Sequence, residues 1–241
     1  MTMFEIERKE FIKELKLTKL NKDLSLRNKG DYYMGLEKAF DDAFNQYARR
    51  TKQKYKENKR DLIEPVASEL YQYFNSNDKT FDACYENCID ASKKILDNNL
   101  YGIAQKFTNM SFKYLCCYKD ADDFRDKFAE CHMPLDKYTI KWIKSLKNKK
   151  INESLSEIND SWTNMSEELY NRIQELADET LKENNDYIIS YNKNSTKQTC
   201  KLPQNKLYAE FIIWHQEKIN EMHHQIEKSE KDFERLGIKW L

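Results

Sequence analysis

Apolar residues recur three and four positions apart along most of the chain, the spacing of a helix buried on one side. Over residues 36–56 the repeat is Leu36, Phe40, Phe44 and Tyr47. Over 81–98 it is Phe81, Cys84, Cys88, Ala91 and Ile95, with Thr80 placed as the N-cap. Ile103, Phe107, Met110, Tyr114 and Leu115 mark the next helix. Leu135, Tyr138, Trp142, Ile143 and Leu146 mark another, opened by Pro134. Phe4, Ile6, Phe11, Leu15 and Leu17 predict a weaker amphipathic helix near the N-terminus. Pro65 is expected to begin a short helix over 66–74, and Asn164 with Glu167 to form a capping box ahead of a helix over 169–182. Residues 206–236 form a long terminal helix with Leu207, Phe211, Ile212, His215, Ile219, Met222 and Ile226 inward. Gly30 and Gly35 bracket a turn, and residues 184–205 are polar and irregular around an ambiguous Ile188, Ile189, Ser190 and Tyr191. The pattern predicts an all-α fold of two helical lobes with a cleft between them, residues 1–150 and residues 151–241.

Composition supports helices over a turn-rich sheet fold, since only 4 Gly and 3 Pro occur among 241 residues. The 41 basic and 41 acidic side chains cancel, but unevenly along the chain. Residues 1–60 carry 16 basic against 10 acidic side chains, and residues 151–241 carry 11 against 17. A basic face for nucleic acid can therefore coexist with an acidic lobe. Two stretches qualify: residues 49–56, rich in Arg and Lys around Tyr55, and residues 137–150, with six lysines, Lys137 and Lys141 among them, and no acid.

No apolar run approaches the length of a membrane span, and Glu5, Glu7 and Glu10 interrupt any signal-peptide core. The six cysteines accordingly read as reduced thiols of a cytoplasmic protein, expected to be a monomer. Cys84, Cys88 and the Cys131–His132 pair are a candidate zinc set only if they converge; buried apolar thiols are the default, and no metal is expected.

The stretch from Leu100 to Asp136 carries the candidate chemistry. A glycine-containing bend before Ile103 would present backbone N–H groups to a phosphate at a helix start. Lys106 falls in the first turn after that bend and Asp136 in the first turn after Pro134. An amine and a carboxylate at two helix starts, beside an anion-binding bend, suit nucleophilic attack on a nucleic-acid sugar.

Leu100, Gly102, Ile103 and Lys106 resemble the Leu-Pro-Gly-Val-Gly-x-Lys hairpin of the helix-hairpin-helix DNA glycosylases, with Tyr101 in place of the proline and Ala104 in place of the second glycine. Met133, Pro134, Leu135 and Asp136 resemble the family's apolar-Pro-Val-Asp helix start. The 30 residues from Lys106 to Asp136 are similar to the spacing in the archaeal 8-oxoguanine glycosylase branch. The resemblance implies a DNA glycosylase, with or without strand-cleaving lyase activity, acting on duplex DNA with a flipped base. Lys106 is then the nucleophile and Asp136 the assisting carboxylate. Tyr101, Gly102, Ile103, Ala104 and Gln105 bind DNA, together with Lys137 and Lys141. No cofactor is implied: the family's iron–sulfur loop needs four closely spaced cysteines, and only Cys200 follows Asp136. An oxidised purine and a hypermodified base of foreign DNA are both compatible substrates. A non-catalytic DNA-binding module and a helical protein-interaction module are the alternative functions.

Overall fold

The computed structural model describes residues 2–44, 55–96, 100–146, 162–183, 186–189 and 198–235. The fold is all-α apart from one two-stranded hairpin. In chain order the helices are α1 (Met3–Glu14), α2 (Thr18–Asp23), α3 (Tyr32–Phe44), α4 (Lys59–Asn75), α5 (Phe81–Lys93), α6 (Tyr101–Leu115), α7 (Arg125–Ala129), α8 (Lys137–Ser145), α9 (Glu167–Glu183) and α10 (Lys206–Arg235). Antiparallel strands β1 (Asp186–Ile189) and β2 (Gln198–Lys201) precede α10; Ile188 and Ile189 of the ambiguous segment are in β1, and Ser190 and Tyr191 lie outside the described residues.

Helix α6 is the axis of the molecule, and all of its residues are buried. It packs against α3, α5 and α9, and α10 closes the bundle by packing on α1 and α8. One hydrophobic core joins helices before residue 150 to those after residue 162, as where Phe11 of α1 meets Phe211 and Trp214 of α10. A helix buried all round is ordinarily apolar all round. Helix α6 instead carries Gln105, Lys106, Asn109 and Lys113 into the interior. At about 100° per residue these four and Gly102 share one face. An interior polar stripe of this kind is costly unless each group has a partner.

Several helix starts follow from local chemistry. Thr2 accepts from the Glu5 amide while Glu5 accepts from the Thr2 amide, a capping box that begins α1. Thr80 accepts from the Ala83 amide and begins α5 as its sequence predicts. The cap of α9 is Ser166, whose hydroxyl accepts from Leu169 N, rather than Asn164.

Four expectations are corrected by packing. Pro65 lies inside α4 rather than at its start, because Leu62, Ile63, Val66 and Leu70 form one buried face through it. Gly35 lies inside α3 rather than in a turn: its N–H donates to Tyr118 Oη at 3.2 Å, and a Cβ there would stand 2.6 Å from that oxygen. Met222 and Ile226 are 53% and 47% exposed, since α10 runs on beyond the core that buries Leu207, Phe211 and Ile212. Tyr55 is buried against Phe44, so it belongs to the core and not to a phosphate-contacting stripe; residues 49–54 of that stripe, and Tyr47 of the apolar repeat, lie outside the described residues.

His132, between α7 and α8, is enclosed by the rings of Phe81, Tyr85 and Tyr170. Loss of water around the ring, helped by the charge of Lys206, pushes its pKa from 6.5 down to about 3. The folded chain thus keeps the ring neutral where the unfolded chain would protonate it. The resulting stability is fully present above pH 6.5 and is lost as pH falls toward 3, by up to about 1.4 kcal/mol per unit. Denaturant unfolding at about pH 7 and about pH 5 should differ by about 2 kcal/mol more in wild type than in His132→Asn. Equal losses in the two proteins would contradict the assignment.

Candidate active site

Asp136 is the N-cap of α8, one residue before the first turn to which its sequence assigned it. Pro134 and Leu135 deliver it in an extended conformation, and it is 7% exposed. Its Oδ1 accepts from the amides of Tyr138 (2.8 Å) and Thr139 (3.2 Å). Its own amide donates to Thr139 Oγ1 at 2.8 Å, completing a capping box. Oδ2 takes no part in the cap and has no hydrogen-bond partner among the described residues. One oxygen holds the helix, and the other makes no hydrogen bond to the described residues.

Lys106 lies in the second turn of α6 and is 6% exposed. Its Nζ sits 4.3 Å from the centroid of the Trp162 ring, in the 3₁₀ turn Trp162–Asn164. It pairs with no carboxylate among the described residues, which is unusual for so buried an amine. Its neighbour Gln105 donates to Gly102 O at 2.8 Å and to Leu135 O at 3.5 Å, so the turn bearing Lys106 abuts the residue before Asp136. The structure therefore brings the two candidate catalytic residues to one interior region.

Two further charged groups lie there. Lys113 of α6 and Glu210 of α10 form an ion pair with both side chains fully buried, Nζ lying 2.9 Å from Oε1 and 2.7 Å from Oε2. Lys113 Nζ is also boxed by Phe11, Phe211 and Trp214, at 4.2, 4.9 and 4.8 Å from their ring centroids. Burial pushes the Glu210 carboxyl up to about 7 against the opposing charge of Lys113; Asp136 pushes it further up and Lys106 holds it down. Glu210 thus senses both Asp136 and Lys106. The pattern of apolar positions left Glu210 unremarked, although it stands between Leu207 and Trp214 at helical spacing, an acid on the inward face. Lys113, the other buried lysine of α6, is committed to Glu210.

The hairpin residues behave differently from their sequence expectation. Tyr101, Gly102, Ile103, Ala104 and Gln105 all lie within α6 and are buried. The amides of Ile103 and Ala104 donate to Leu100 O at 3.0 and 3.1 Å. The first two amides of the helix, those of Tyr101 and Gly102, make no hydrogen bond among the described residues. Tyr101 packs edge-on to Tyr170 under the ammonium of Lys93 rather than standing out as a wedge. Gly102 does provide a close approach, but to this chain's own backbone. A Cβ there would stand 2.1 Å from Trp162 O and 2.7 Å from Thr163 O. Gly102 is therefore the seat of the turn that places Trp162 over Lys106. Gly102→Ala should destabilise the fold by about 1–3 kcal/mol and unseat that turn. Denaturant unfolding, together with mass-spectrometric amine labelling, should show lower stability and faster modification of Lys106. A variant unchanged in both would refute this role.

Lys137 and Lys141 are exposed on α8, and each is paired with α10: Lys137 with Glu221 and Lys141 with Glu217, both at 2.8 Å. The exposed Lys137–Glu221 pair is worth at most about 1 kcal/mol, so a phosphate can compete for it, whereas the acid paired with Lys141, Glu217, is buried and also accepts from Tyr187. Cys84, Cys88, Cys116, Cys117 and Cys131 are buried free thiols, and burial pushes that of Cys116 up to about 12. Among the described residues no cluster of three or more His, Cys, Asp or Glu side chains is arranged to hold a metal.

No protein-family model, curated protein sequence or solved structure matches this chain.

Proposed function

We propose that this chain is a DNA glycosylase of the helix-hairpin-helix type, excising an extruded base with Lys106 as the amine nucleophile and Asp136 as the assisting carboxylate. The observation that carries the reading is a nine-tenths buried lysine without an acidic partner among the described residues, on a helix turn that abuts the residue before Asp136, a carboxylate that spends one oxygen on a helix cap. An ordinary structural lysine at that depth is paired, as Lys113 is with Glu210 in the same helix.

The chemistry follows from the positions. Extrusion removes the base from the stack. The glycosidic C–N bond breaks with its electron pair leaving on the base, and positive charge develops on the sugar ring. The Oδ2 of Asp136 stabilises that charge in a site from which water is largely excluded. The Nζ lone pair of Lys106 forms the new bond to the anomeric carbon and gives up a proton. Opening of the sugar ring then yields a Schiff base, from which β-elimination of the 3′ phosphate cleaves the strand. Trp162 covers the amine in the free protein, so the entering nucleotide has to displace its ring.

The test is borohydride trapping, with base release measured in parallel, on duplexes carrying oxidised purines and on DNA containing hypermodified bases. A covalent adduct at Lys106 and free base are expected. Salt-dependent DNA binding without base release from any substrate would instead establish a binding module. Asp136→Asn keeps a good capping residue while removing the charge. Its single-turnover excision should fall by about 10²–10³-fold, with thermal stability close to wild type. Undiminished excision would remove Asp136 from the mechanism.

A further inference from the structure

A chain of buried side chains reaches the site from the far side of α6. Gln105 Nε2 faces two carbonyl oxygens, of Gly102 and Leu135. Carbonyls only accept, so the amide orientation of Gln105 is dictated, with its Oε1 turned to Asn109. Asn109 Nδ2 donates to that Oε1 at 3.1 Å, and also to Tyr170 Oη at 2.9 Å. Having accepted there, the Tyr170 hydroxyl has its own proton to give, and His132 Nδ1 lies 2.9 Å away. The bonds therefore diverge from the Asn109 amide, one arm running through Gln105 to the Gly102 and Leu135 carbonyls and the other through Tyr170 to a bare Nδ1 on a neutral imidazole. The groups facing that ring are Phe81 and Tyr85 of α5 and Tyr170 of α9, with the charge of Lys206 acting on it from α10; none offers it a negative charge. Fixed donor and acceptor roles at each end leave the Asn109 amide one orientation that serves both arms.

We infer that Tyr170 is a positioning residue: through Asn109 and Gln105, and anchored on His132, it holds the α6 turn that bears Lys106 in register with the residue before Asp136. The inference rests on the glycosylase reading for its consequence, though not for the relay itself. Attack on the anomeric carbon needs the amine and the carboxylate set against one sugar, and a displacement of about 1 Å costs about a hundredfold in rate. No group of the relay touches the reacting atoms. Gln105 is the only one of its side chains on the turn with Lys106.

The test compares Tyr170→Phe, His132→Asn and His132→Leu with wild type in single-turnover excision and in DNA affinity. Tyr170→Phe keeps the ring and loses the hydroxyl; its rate should fall about 10- to 100-fold with DNA affinity unchanged within about twofold. His132→Asn keeps an acceptor near the place of Nδ1 and should excise at close to the wild-type rate, whereas His132→Leu should resemble Tyr170→Phe. A packing role alone predicts the reverse order, because leucine fills an apolar site better than asparagine. Either that reverse order or an unchanged rate in Tyr170→Phe overturns the inference. The two readings fail separately. If wild type releases no base from any substrate, the glycosylase reading is lost. The relay is then decided by backbone amide shifts in Tyr170→Phe. Coordinated shifts over residues 102–106 and 135–139 sustain the register, and shifts confined to the surroundings of Tyr170 overturn it.

Discussion

Lys106→Ala is expected to abolish covalent trapping altogether, to lower single-turnover base excision by at least about a thousandfold, and to leave DNA affinity nearly unchanged. The amine is buried beneath Trp162 and forms no ion pair among the described residues, so its removal leaves no carboxylate without a partner. Stability should therefore hold, or rise, because a buried charge is removed. This separates a catalytic lysine from a structural one. Gel analysis after borohydride reduction gives the adduct, and thermal unfolding gives the stability. An adduct of undiminished yield would place the nucleophile elsewhere. An alanine variant that fails to fold would make Lys106 a structural residue.

Lys113→Ala should produce the largest loss of stability, about 3–5 kcal/mol near neutral pH. It leaves the fully buried Glu210 carboxylate without the ammonium that pairs it. The pH dependence follows from the carboxyl. Its pKa is up at about 7 in the folded chain against 4.5 for an exposed glutamate. A group raised in this way contributes stability that is fully present below pH 4.5 and is lost as pH rises through about 7. Without Lys113 the carboxyl is held higher still, so Lys113→Ala should recover stability relative to wild type on acidification to about pH 5. The double variant Lys113→Met/Glu210→Leu should be close to wild type in stability, since it removes both charges and keeps apolar volume. A double variant that loses the sum of the two single effects would show that the charges are not the cause.

Glu210 also shows why the site was only partly legible in the sequence. Its partner is 97 residues away along the chain, and neither member of the pair has a local signature. The same holds for Lys137 and Lys141, whose acidic partners lie on α10. By contrast Thr80, Asp136 and the apolar repeat of α5 were legible because caps and helical periodicity act over three or four residues. Met222 and Ile226 mark the limit of that signal: the repeat continues where the core has already ended.

Gly102 is the instructive case. Its place in a hairpin-like motif suggests an open backbone that a phosphate approaches. In the fold the approaching group is a carbonyl of Trp162, 60 residues further on. A missing Cβ is visible in a sequence; what fills its place is not.

By itself the sequence determined the all-α class, most of the helices and several of their starts, because propensity, capping and a 3.6-residue repeat are properties of short segments. It also placed Lys106 and Asp136 as candidates. Only the tertiary structure decided that α6 is enclosed on every side, that Trp162 rests on Lys106, that Lys113 is held by Glu210, and that Tyr170 connects His132 to the turn bearing Lys106. Those outcomes depend on which groups lose water together. Burial converts a polar residue into either a paired group or an available one, and segments distant in the chain supply or withhold the partner.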